Sequence, residues 1–98
     1  MDEQQRKDIV RMAWEIHGVV EDSALRLRAT RDDADGWREK QRLLLADMAI
    51  HLLQTALGTG PIEIEQLRNN LHAILTLSDA FLPDAGLKAA RARLYGEG

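Results

Sequence analysis

The stretch LLLADMAIHLLQTAL, residues 43–57, decides the fold class of this chain. Wound as an α-helix at about 100° per residue, its apolar side chains cover an arc of roughly 280°. A helix that packs on one side of a small core needs an apolar stripe of only about 100°. The stretch therefore predicts a helix surrounded on nearly all sides, which two neighbouring helices of a 98-residue chain do not easily achieve. A second copy of the chain, or a foreign partner, is expected to supply the missing cover.

Three further segments show helical periodicity, and no segment alternates as a half-buried strand would. A first helix is predicted for residues 4–29, a third for residues 61–82 and a short fourth for residues 87–95. The second helix is expected to run to Leu57 from a cap at Asp32 or Asp33. Gly58 is expected to end it as a left-handed cap, and Pro61 to open the third helix. The predicted core stripe of the first helix consists of Ile9, Met12, Ile16, Val19, Val20 and Leu27.

Short loops between the helices favour antiparallel neighbours. Residues 1–98 are therefore predicted to form a single all-α domain. Its expected architecture is a bundle of three long antiparallel helices plus one short C-terminal helix, present as a homodimer. Leu43, Ile50 and Leu57 lie on the side of the second helix roughly opposite Met48 and Leu52, and they form the predicted dimer interface.

Composition and charge exclude several classes of function. The chain has no cysteine, which rules out disulfides, thiolate zinc sites and cysteine nucleophiles and favours a reducing compartment. The charged N-terminal residues lack the apolar core of a signal peptide, and residues 43–57 are too short and too polar to span a membrane. A cytoplasmic protein without membrane contact is expected. The net charge of −3 argues against nucleic acid as the main partner.

The acidic loop DDADG, residues 32–36, resembles a calcium-binding loop only superficially. With Gly36 at the sixth position, Arg31 and Arg42 would stand where such loops carry a carboxylate and a bidentate glutamate. The acidic residues are better interpreted as helix-capping and turn residues.

The three histidines, His17, His51 and His72, fall one to each long helix at similar heights, a layout from which zinc could take three ligands. However, His72 lies in the polar face of its helix, whereas His17 and His51 lie at the borders of apolar faces. No metal, cofactor or catalytic residue is therefore predicted.

A cluster of basic residues brackets the first loop, interleaved with acidic ones. Mixed charges of this kind usually form a solvated, salt-bridged end of a bundle, although a docking patch or, less favourably, a nucleic-acid site remains open. The basic residues are Arg26, Arg28, Arg31, Arg38, Lys40 and Arg42.

Trp14 is the most distinctive surface candidate, because it projects from the first helix away from the predicted core stripe. Tryptophan is enriched at binding hot spots. The predicted partner-binding face consists of Val10, Trp14, His17, Glu21 and Leu25. The sequence thus favours a non-enzymatic interaction module, such as a regulator, adaptor or inhibitor. The alternative is a ligand-binding or catalytic bundle with a cleft near His17 and His51.

Overall fold

The computed structural model of the chain describes residues 1–27 and 33–96. All regular secondary structure in those ranges is helical. The elements are α1 (Glu3–Arg26), α2 (Ala34–Leu57), α3 (Ile64–Ser78) and α4 (Leu87–Arg93). The predicted all-α class and the order of three longer helices and one short helix are confirmed.

Side-chain caps fix the starts of the first two helices. The Asp2 carboxylate accepts from the Gln5 backbone N–H at 2.8 Å, and the Gln5 side chain accepts from the Asp2 N–H at 3.0 Å. This reciprocal pair is a capping box. At α2, Asp33 is the cap and accepts from the Gly36 N–H at 3.2 Å. Of the two caps considered for this helix, the structure assigns Asp33, whereas Asp32 lies outside the described residues.

The predicted bounds of the third helix were wrong at both ends. Pro61 precedes the helix, which begins at Ile64 after the extended Glu63. The helix ends at Ser78 rather than at residue 82, because the backbone passes into tighter turns before Pro83, whose ring disfavours helical geometry in the residue before it.

The caps and ends of the other helices also differ from expectation. Gly58 has φ −61° and ψ 159°, so it is extended, and the predicted left-handed cap there was wrong. Gly60, with φ 78°, takes the left-handed conformation instead. α1 ends at Arg26, and α4 ends at Arg93, because its final turn tightens to bonds between residues three apart.

The helices pack in sequence order, with α1 on α2, α2 on α3 and α3 on α4. The α1–α2 pair is antiparallel, since His17 contacts Asp47 whereas the earlier Val10 lies near the later Gly58. The Thr55 hydroxyl donates to the Asn70 side chain at 2.5 Å and ties α2 to α3. Within the described residues α1 and α3 do not pack on each other. α2 therefore has helical neighbours on two sides only.

Two buried alanines lie on the α1 face that meets α2. Ala13 and Ala24 are each 2% exposed and are the only apolar side chains in the described part of the chain that are buried. With His17 they follow spacings of four and seven, so they share one helix face. Small side chains there let the two backbones approach closely.

The predicted core stripe of α1 was wrong in its central members. Met12, Ile16 and Val19 are 46%, 52% and 69% exposed. These three side chains lie about 100° around the helix from the face that meets α2. The sequence pattern predicted instead that they face the core. The remaining members, Ile9, Val20 and Leu27, are half-buried.

The helices expose more surface and extend further than is usual for a chain of this mass. Its accessible surface is 7005 Å², whereas a folded monomer of 11.0 kDa exposes about 5,600 Å². The radius of gyration is 15.3 Å, against about 12.6 Å for a compact domain of the same length. α2 leaves the row Ala46, Ala49, Leu53 and Ala56 exposed. No described helix has the length and apolar character that crossing a bilayer requires.

The short helix α4 is attached to α3 through Tyr95, which follows it. The Tyr95 hydroxyl donates to the Asn69 side-chain oxygen at 2.7 Å, and its ring packs edge-on against His72 with centroids 5.5 Å apart. His72 is thereby part of the α3–α4 contact.

Replacing Ala13 by leucine tests the close α1–α2 contact. We expect Ala13→Leu to lower the free energy of unfolding by about 1–3 kcal/mol, because the added atoms have no room between the helices. The matched control is Ala89→Leu on exposed α4, with an expected change within about 0.5 kcal/mol. Urea unfolding at a fixed protomer concentration measures both, and equal stability of the two variants would contradict the packing described.

Candidate functional site

The carboxylate of Asp47 lies at the centre of the α1–α2 contact and meets two histidines. Asp47 is 9% exposed. One of its oxygens lies 2.5 Å from Nδ1 of His17 on α1, and the other lies 3.3 Å from Nε2 of His51 on the next turn of α2. A carboxylate withdrawn from water needs such partners, since its desolvation is costly when uncompensated. We call His17, Asp47 and His51 the histidine–aspartate cluster.

His17 has a carboxylate at each ring nitrogen. Its Nε2 lies 2.9 Å from the Glu21 carboxylate, one turn along α1, while Nδ1 faces Asp47. A neutral imidazole has one N–H and one lone pair, so it donates to only one of these carboxylates, whereas the protonated ring donates to both. His17 is therefore positioned by two anionic acceptors on two different helices.

Aromatic contacts enclose the cluster on the α1 side. The Trp14 ring packs edge-on against His17 with centroids 5.6 Å apart, and the His17 and His51 rings lie 4.7 Å apart. Trp14 itself remains 56% exposed. These contacts restrict the rotation of His17, which favours a fixed geometry of its ring nitrogens.

A cleft of about 370 Å³ adjoins the cluster on the side of Trp14. Its polar lining includes His51, Gln54 and Thr55 from α2, and Val10 and Trp14 contribute its apolar wall. The Nε2 atom of Gln54 is buried without a hydrogen-bond partner among the described residues. Buried polar groups are nearly always paired, so this amide is a donor available to a bound molecule or water.

The structure divides the predicted partner-binding face into two groups. Trp14, Glu21 and Leu25 are exposed, as a binding surface requires. His17 instead turns toward Asp47, and Val10 is half-buried. The predicted dimer residues Leu43, Ile50 and Leu57 are likewise half-buried.

Sequence reasoning missed the histidine–aspartate cluster. It compared the three histidines with one another, but His72 belongs to the α3–α4 contact and the third member of the cluster is Asp47. The available signal was the pair of spacings of four, His17 to Glu21 and Asp47 to His51, which places acid and imidazole on the same helix face. That those faces meet depends on the register between α1 and α2, which periodicity within one helix does not provide.

The basic residues around the first loop are partly neutralised. Arg26 pairs with Asp22 at 3.0 Å and Arg42 with Glu39 at 3.1 Å, each along its own helix. Arg28 and Arg31 lie outside the described residues. Exposed pairs of this kind contribute little to stability.

Comparison of the chain with protein-family models, with curated proteins and with solved structures finds no match. Inferences about function therefore depend on the geometry of the chain itself.

Removing the Asp47 carboxylate tests its part in the α1–α2 contact. We expect Asp47→Ala to lower the free energy of unfolding by about 1–3 kcal/mol, because both histidines lose their acceptor at a half-buried position. Glu39→Ala, which removes an exposed carboxylate from the same helix, should change it by less than about 0.5 kcal/mol. The triple variant with leucine at positions 17, 47 and 51 should match or exceed the wild-type stability, since apolar packing often replaces buried ionic groups without loss. Chemical denaturation distinguishes these outcomes, and an unchanged Asp47→Ala protein would contradict the assignment.

Proposed function

We propose that this protein is a small, non-enzymatic interaction module that works as a homodimer. The observation that carries the proposal is the exposed apolar row on α1, which has no cover within the described chain. Met12, Ile16 and Val19 follow spacings of four and three along the helix, as a coiled-coil seam does. Three large apolar side chains in that register are far more exposed than a stable core requires.

The row on α1 continues onto α2. Trp14 and His51 line one cleft, so the Trp14 side of α1 and the His51 side of α2 face the same way. The other sides of the two helices then also form one continuous surface, because the helices pack side by side. On that opposite side α2 carries the exposed Leu53 beside the predicted dimer residues Leu43 and Ile50, whereas Leu57 lines a cleft with Trp14. We call Met12, Ile16, Val19 and Leu53, together with Leu43 and Ile50, the apolar face.

The area of excess surface supports a second copy as the occupant. The chain exposes about 1,400 Å² more than a compact monomer of its mass. A standard interface takes about 800 Å² from each partner, and permanent homodimers take about 1,000–2,500 Å². A two-fold pair of chains that cover each other's apolar face would restore the surface of a compact protein, and such isologous pairing is the commonest form of association.

The opposite side of α1 is proposed as the surface for a partner protein. Trp14 and Leu25 project there, with Glu21 between them, and both apolar side chains are exposed. A large aromatic residue ringed by polar groups has the anatomy of a binding hot spot. The lack of cysteine supports a reducing, cytoplasmic setting for this interaction. The net charge of −3 argues against nucleic acid as the partner.

A second candidate function is the binding of a small ligand in the cleft beside His51. The specific observation in its favour is the donor of Gln54, which has no acceptor among the described residues although it is buried. Ligand sites commonly combine apolar walls with a few such convergent polar groups.

A charge introduced in the apolar face should dissociate the dimer. We expect the wild type to sediment at twice the 11.0 kDa chain mass at micromolar concentration and Val19→Glu to sediment as a monomer, because a buried carboxylate at the interface lacks a partner. Leu25→Glu places the same charge at an equally exposed position on the opposite side and should remain dimeric. A monomeric wild type, or dissociation of both variants alike, would rule out this dimer.

Truncation of Trp14 tests the partner surface. We expect Trp14→Ala to weaken binding of a partner protein, isolated through its binding to the wild-type chain, by about 2 kcal/mol or more. Folding stability should fall by no more than about 1.5 kcal/mol, the worth of one aromatic pair. A stability loss of about 3–5 kcal/mol would instead mean that Trp14 is a core residue. Titration calorimetry and thermal melts separate these results, and Trp14→Phe, which keeps an aromatic ring, should retain most of the affinity.

A further inference from the structure

The histidine–aspartate cluster brings three metal-ligating atoms together from two helices. One ring nitrogen from each of His17 and His51 and one Asp47 oxygen all lie within 4.8 Å of one another. In a tetrahedral zinc site with ligand bonds of 2.0–2.1 Å, neighbouring ligand atoms are roughly 3.4 Å apart. Nε2 of His51 lies 3.3 Å from one Asp47 oxygen, and Nδ1 of His17 lies 2.5 Å from the other, so the His17 contact has to widen to admit an ion.

The second nitrogen of His17 has the carboxylate partner that is typical of a metal-bound histidine. When Nε2 donates its proton to Glu21, Nδ1 holds a lone pair that faces the Asp47 carboxylate. Two acceptors at that distance need a positive centre between them, either a proton or a metal ion. A metal-bound histidine typically donates its other N–H to a carboxylate, which fixes the tautomer and the orientation of the ring. Glu21 occupies that orienting position.

We propose that His17, Asp47 and His51 bind a divalent first-row transition-metal ion, and that Glu21 orients His17 as a ligand. Two imidazoles and one carboxylate suit Zn²⁺ and its neighbours rather than Mg²⁺ or Ca²⁺, which prefer oxygen ligands. The two nearby carboxylates also offset the charge of a divalent ion. Three protein ligands leave one position open, as in catalytic zinc sites.

The cluster adjoins a cleft through which a further ligand can enter. His51 belongs both to the cluster and to the lining of the 370 Å³ cleft. Gln54 lines the same cleft, and its buried side-chain nitrogen has no acceptor among the described residues. The site would therefore accept water or a small molecule with two oxygen atoms, one of which binds the metal while the other accepts from Gln54. It lies on the opposite side of the α1–α2 pair from the apolar face, so it does not depend on the proposed dimer.

Calorimetric titration of Zn²⁺ into tag-free, chelator-treated protein tests the site. We expect one ion per chain with a dissociation constant in the micromolar range or below. His17→Ala and His51→Ala should each weaken binding by at least about 100-fold, and Glu21→Gln by about 10-fold, the usual effect of losing an orienting partner. His72→Ala is the matched control, because its ring lies at the α3–α4 contact, and it should bind Zn²⁺ as the wild type does.

Further measurements keep the test decisive if a variant loses structure. Asp47→Asn preserves the size of the side chain, so it should keep the wild-type helicity by circular dichroism yet bind Zn²⁺ weakly. Saturating Zn²⁺ should raise the melting temperature of the wild type and of Val19→Glu alike. The proposal is overturned by the absence of saturable binding, by wild-type affinity in both histidine variants, or by a stoichiometry of half an ion per chain.

Trp14 supplies a local spectroscopic readout. Its ring lies beside His17, so paramagnetic Co²⁺ in the site should quench its fluorescence. The quenched fraction should disappear in Trp14→Phe and persist in His72→Ala. Quenching that survives in Trp14→Phe, or that is absent from the wild type, would place the ion elsewhere and contradict the site.

Discussion

The register between the first two helices rests on one polar contact, the Asp47 carboxylate between His17 and His51. A carboxylate so nearly buried is tolerated only where donors meet it, so any sliding of α1 along α2 would remove His17 and leave only His51 of its own helix. Ala13 and Ala24 make the approach close, but alanine faces alone are compatible with several registers. The polar contact selects one of them, in the way that a single buried polar residue specifies the register of a coiled coil.

The same contact explains why the chain is poorly enclosed. α1 uses its face of small and polar residues to meet α2, and its large apolar side chains consequently point about 100° away. Met12, Ile16 and Val19 then have no described helix to cover them, because α3 packs on α2 and not on α1. Because α1 meets α2 mainly through alanines and a histidine, the contact buries little apolar surface within the protomer, and this is the basis for proposing association.

The sequence was sufficient for features that local patterns determine. It predicted four helices in order, a cap at Asp32 or Asp33 and the projection of Trp14 away from the core stripe, each of which depends on residues within a few turns. It failed where the answer depends on a neighbouring helix. The core stripe of α1 was assigned to the strongest apolar periodicity, although the face that meets α2 is the one holding His17. The sequence pattern did not single out Asp47, because its partner His17 lies thirty positions away. The face of a single helix shows where each histidine lies on that helix, but it does not predict the contact between His17 and Asp47.

The attachment of α4 has a consequence for how the chain opens. A helix of seven residues is too short to persist alone in water, so its order depends on its packing against α3, which includes the Tyr95 hydroxyl on Asn69 and the Tyr95 ring on His72. When α4 separates from α3, its backbone amides become free to exchange with solvent together. The α4 segment can therefore detach as one unit and expose the part of α3 that it covers, while the contact between α1 and α2 remains intact.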